Sequence, residues 1–69
     1  MRTYRIKLNC AKYQNHNQWL WGFRDGEEVR TGPDDALVIT PKMRADAVLT
    51  RVLDVGHYPN AEIVEDNGL

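Results

Sequence analysis

The chain contains no serine, so hydrolysis through a serine nucleophile is excluded at the outset. Its single cysteine, Cys10, cannot close an internal disulfide, and nothing staples the fold covalently. That fits a reducing compartment, and the expected location is the cytoplasm. No charged-then-apolar leader opens the chain and no apolar run approaches the length of a membrane span, so no membrane partner is expected. The glycines are scattered rather than gathered into a phosphate cradle. His16, His57 and Cys10 lack the spacing of metal ligands. Asp34 and Asp35 are adjacent turn residues whose side chains diverge. The expectation is a non-enzymatic protein with no catalytic residues, no metal and no cofactor.

What is present is enough for one domain spanning residues 1–69, with residues 65–69 expected as a frayed tail. At 69 residues, such a domain buries only about 60% of the surface its unfolded chain exposes. The core is thin, and most apolar residues must be used inside. A hydrophobic content of 42% with 28% charged residues is globular rather than disordered. The net charge of −1 hides an asymmetry: residues 1–32 carry +3 and residues 33–69 carry −4. Such a division marks either an anion-facing surface or two ends that attract each other in the fold.

The periodicities predict an α+β domain, a small mostly antiparallel β-sheet of three to five short strands with one amphipathic helix packed on one face, in the order β-β-β-(β)-α-β. Tyr4, Ile6, Leu8 and Cys10 alternate with Arg5, Lys7 and Asn9, the period of a half-buried strand that residues 11–13 can extend. Residues 14–18 are polar and turn-forming. A second strand follows at Trp19-Leu20-Trp21-Gly22-Phe23, and Asp25-Gly26 is a hairpin signal before Glu27 to Thr31. A three-residue turn pairs Trp21 with Val29 and gathers Trp19, Trp21, Phe23 and Val29 on one face. Because register follows the buried face, that turn is preferred over a two-residue one. Residues 36–39 suggest a brief central strand. Thr40 is the expected helix cap and Pro41 the first helical residue. Ala45, Val48, Leu49, Val52 and Leu53 form the apolar stripe, Gly56 the C-terminal cap, and His57 a partner for the last carbonyls. A last strand is expected over residues 60–65.

One helix covers one face of a sheet and leaves the other open. With the aromatics beneath the helix, the open face would carry Arg5, Lys7, Asn9, Leu20, Gly22, Arg24, Glu28 and Arg30, four bases against one acid. Cys10, in phase with the core, reads as an inert buried thiol. The functional expectation is a small protein-binding module, a regulator or inhibitor of the kind bacterial and phage genomes encode as short genes. It would occlude a partner protein with an acidic surface through Arg5, Lys7, Arg24 and Arg30, supported by Leu20. The alternative is nucleic-acid binding through the same basic face, against which stands a pI near 6.0. A homodimer through an edge strand, with the last strand as its candidate, is a further expectation.

Overall fold

The computed structural model describes residues 2–13 and 17–66. Four antiparallel strands form one sheet: β1 (Thr3–Lys7), β2 (Trp19–Arg24), β3 (Glu27–Thr31) and β4 (Glu62–Asp66). Their spatial order is β3-β2-β1-β4, and the helix α1 (Lys42–Val55) carries the chain from one edge strand to the other. The fold is the small α+β architecture that the periodicities predict. Tyr4, Ile6, Leu8, Leu20, Ile39, Ala45 and Val52 form the buried core, with Phe23, Val48, Leu49, Tyr58, Ala61 and Ile63 packed around it.

β1 follows its alternation: Tyr4 and Ile6 turn under the helix, and Arg5 and Lys7 turn away. It is shorter than expected. Leu8 stays buried and donates its amide to the Gln18 carbonyl at 2.6 Å, but Asn9 takes a positive φ of 52° and the extended run ends. Residues Ala11–Tyr13 make a 3-10 turn rather than more strand. Cys10 is half-buried rather than fully enclosed, its main chain clasped by the Gln18 amide through bonds of 2.6 and 3.0 Å.

The hairpin corrects the expected register. Arg24 pairs with Glu27, so the loop has two residues, Asp25 and Gly26, both at positive φ (53° and 81°). That is the backbone a mirror-image type I turn demands, and it matches the strands' twist. Val29 therefore lies opposite Gly22, not opposite Trp21. The parity change that a longer turn would have supplied occurs inside β2 instead. The ladder shifts between Leu20 and Gly22, leaving Trp21 as the extra residue of a β-bulge. Because of that bulge, Leu20 and Phe23, three positions apart, both reach the core. The tryptophans do not: Trp21 is 48% exposed and Trp19 lies across from Lys7 on the open face.

Residues 36–39 are not a strand of the sheet. Ile39 alone bridges Tyr4, through bonds of 2.9 and 2.8 Å, on the side of β1 away from β4, and the Leu37 amide bonds the Leu20 carbonyl at 2.9 Å. β1 and β2 pair only at Lys7 and Trp19, and this segment fills the gap where they part. The helix also starts one residue later than expected. Pro41, after a cis peptide bond, is the N-cap, and its carbonyl accepts from the Arg44 and Ala45 amides at 3.0 and 3.3 Å. No side chain caps that end, so Thr40 does not serve there. Gly56 ends the helix at φ 86°, the left-handed conformation that glycine adopts without steric cost. Leu53, expected in the apolar stripe, is exposed, while Ala45 and Val52 carry the helix into the core. Glu65 and Asp66, expected in the frayed tail, belong to β4, paired with Tyr4 and Thr3, and residues 67–69 lie outside the described residues.

Candidate interaction face

Cross-strand pairing decides what the open face carries. On β1 it presents Thr3, Arg5 and Lys7, and their β4 partners Asp66, Val64 and Glu62 lie on the same face. On the other side Trp19 pairs with Thr31, Gly22 with Val29 and Arg24 with Glu27. Arg5 is the best-held of these side chains. One guanidinium nitrogen is ion-paired with the Asp66 carboxylate and the other donates to the Pro33 carbonyl at 3.2 Å. Its guanidinium carbon lies 5.8 Å from the Trp19 ring centre, and the Lys7 ammonium lies 5.9 Å from the same ring. Both fall within the range in which a cation is attracted to the face of an indole.

The face is therefore not a basic field. Lys7 and Arg24 each have an acidic residue directly across the ladder, in Glu62 and Glu27, and Arg5, opposite Val64, is ion-paired with Asp66 on the diagonal. The expectation of four bases against one acid left β4 out of account. Two further contact candidates also change place. Leu20 is wholly buried; the bulge that exposes Trp21 is what turns it inward. Arg30 pairs with Leu20 and so lies on the helix side, where it hydrogen-bonds Tyr58. Arg24, at the hairpin end, is exposed.

Apolar surface stands where the basic patch was expected. Trp21 is exposed, and so is Val38, at 59%, which turns out because its neighbour Ile39 turns in. Leu37 is tied to the Leu20 carbonyl beside Trp21 and is also exposed. Sequence reasoning missed Leu37 and Val38 because their run reads as a buried strand. For Trp21 a signal existed: Gly22, a glycine inside a strand, often marks a bulge.

On the helix side, a polar group gathers where the chain leaves α1. The side chain of Glu28 is fully buried, and neither carboxylate oxygen has a hydrogen-bond partner among the described residues. The His57 Nδ1 lies 3.8 Å from one of those oxygens, beyond hydrogen-bond distance. His57 thus faces β3 instead of the helix carbonyls. Burial raises the Tyr58 phenol above its usual 10.0, and the charge and hydrogen bond of Arg30 partly oppose that. Among the described residues no three His, Cys, Asp or Glu side chains converge as metal ligands, and His16 lies outside those residues. No helix among them is long and apolar enough to cross a membrane. Comparison with family models, with curated proteins and with solved structures found no match to this chain.

Proposed function

We propose that the protein is a non-enzymatic binding module that covers part of another protein's surface with its open sheet face. The observation carrying this reading is Trp21, a bulged indole left 48% exposed in a chain too small to spare it from the core. Tryptophan and arginine supply most binding energy at protein interfaces, with weaker polar contacts around them that exclude water. Here Trp21, Leu37 and Val38 would form the anchor, while Arg5, Lys7 and Arg24, each with an acid opposite or diagonal to it, would form a rim of mixed charge. The matching partner surface is apolar at its centre and carries both signs at its margin, rather than being uniformly acidic.

The second reading is stacking of unpaired bases on Trp19 and Trp21, with Arg5 and Lys7 as phosphate contacts. The cations above Trp19 favour it, and the three acids on the same face oppose it. A direct test immobilises the full chain and compares wild type with Trp21→Ala, Val38→Asp and, as a control on the helix surface, Met43→Asp. Specific capture of one protein, lost in the first two variants and kept in the third, is the expected result. Undiminished capture by Trp21→Ala would overturn it. So would affinity for a mixed-sequence single-stranded oligonucleotide that collapses steeply with salt, which would favour the second reading.

A further inference from the structure

The edge strands of the sheet are β3 and β4, and they differ in how they would meet a copy of themselves. Pairing β4 with itself antiparallel about its central residue, Val64, sets Glu62 against Asp66 twice. Pairing β3 about its own centre, Val29, sets Glu28 against Arg30 twice, and Glu27 against Thr31. Like charges directly opposite destabilise a ladder and opposite charges support it. The β4 edge is thus guarded by its acids, whereas the β3 edge is complementary to itself.

The backbone selects the same register. The pair closing a two-residue hairpin is hydrogen-bonded, so the main-chain groups of Glu27 point at β2. Those of Glu28 and Arg30 consequently point outward. The Leu20 carbonyl agrees: it is turned away from its partner Arg30 and accepts from Leu37. Exposure agrees as well. The Glu28 side chain is wholly buried while the residue as a whole is not, so the exposed part is its main chain. Registers that bond outward groups to outward groups place Glu28 opposite Glu28, Arg30 opposite Arg30, or Glu28 opposite Arg30. Only the last joins opposite charges. It also brings a guanidinium to the side of the sheet that holds the Glu28 carboxylate, which has no hydrogen-bond partner among the described residues. The helix does not occupy this edge, since α1 packs chiefly over β1 and β4.

We propose that two copies of this chain join along β3 in an antiparallel, two-fold symmetric pair, making one eight-stranded sheet. Val29 meets Val29 on the axis, and each Glu28 faces the other copy's Arg30. The inference uses the sheet edge and stands apart from the reading of the open face.

Sedimentation over a concentration series reports the assembly. A species of about twice the 8.0 kDa chain mass is expected, weakened at least tenfold by Arg30→Glu, which sets an acid opposite Glu28 at both places. Arg30 also bonds Tyr58, so circular dichroism must show that variant folded. Cross-linking keeps the proposal testable if it is not. In a Cys10→Ala background, Val29→Cys should form a disulfide-linked dimer rapidly, because residues opposite each other at a non-hydrogen-bonded position have Cα atoms about 4.5 Å apart. Val64→Cys, at the centre of the other edge, should not. Equal rates for the two cysteines, faster linking at Val64, or a monomer alone at about 1 mM would overturn the proposal.

Discussion

The two halves of the sheet obey different rules. β1 and β4 pair residue for residue from Thr3 with Asp66 to Lys7 with Glu62, and strict alternation fixes which side chains face the helix. The β2–β3 hairpin carries one residue too many on one strand, and the ladder slips at Trp21. A single extra residue reverses the parity of everything beyond it. Before the slip, Leu20 points in; after it, Phe23 points in, though simple alternation would put them on opposite faces. One half spends its apolar residues on the core, and the other leaves an indole at the surface.

Single-residue deletions separate the halves most sharply. Removing Arg5 makes Tyr4 and Ile6 neighbours, and two adjacent strand residues cannot both face the helix. We expect a loss of about 3 kcal/mol or more, enough to unfold so small a domain. Removing Trp21 takes out the bulge and leaves Leu20 and Phe23 two positions apart, so both still face the core. That deletion should cost about 2 kcal/mol or less, the worth of the area a half-exposed indole buries. Urea unfolding of both variants decides the matter. Equal damage from the two would mean the bulge is not what sets the hairpin's parity.

Substitution gives the same contrast at lower amplitude. Leu20→Ala should cost about 2–5 kcal/mol, since a wholly buried leucine leaves a cavity when truncated. Trp21→Ala should cost about 1 kcal/mol despite removing a far larger side chain. The reverse order, read from denaturation midpoints at constant slope, would place the indole in the core and Leu20 outside it.

This contrast also explains how much could be read from the residues. Tyr4, Ile6 and Leu8 show their face because their neighbours are charged or strongly polar. The helix shows its span because Pro41 and Gly56 bound a run with a 3.6-residue period. Trp19, Leu20, Trp21 and Phe23 offer no such contrast. Every one is apolar, either parity buries a plausible set, and the larger aromatic payload suggests the wrong one. What decides is the gap between β1 and β2, which residues 36–39 enter and which the Leu20 carbonyl helps to close. A contact seventeen residues away is invisible to local period. The charge of the open face was illegible for a related reason: Glu62 and Asp66 neutralise it from β4, and Ile63-Val64 alone does not say which way that strand faces.

The smallest expected effect compares the polar contacts of the two halves. On the β1–β4 side, Arg5 and Asp66 form an ion pair that remains partly open to solvent. On the hairpin side, Tyr58 is tied to Arg30 and its phenol is raised above 10.0 by burial. The folded protein therefore holds that proton more tightly than the unfolded chain does. Its contribution to stability is complete below pH 10.0 and declines as pH rises from there through the folded value, because the unfolded chain ionises first. Tyr58→Phe removes the phenol and with it that share of the alkaline slope, at the cost of the bond to Arg30. The variant should be slightly less stable than wild type at neutral pH, with the difference narrowing above pH 10. Chemical unfolding at a series of alkaline pH values measures it directly. A gap that widens instead would mean that Arg30 stabilises the phenolate more than burial penalises it, and that the helix side of the hairpin is wetter than its packing indicates.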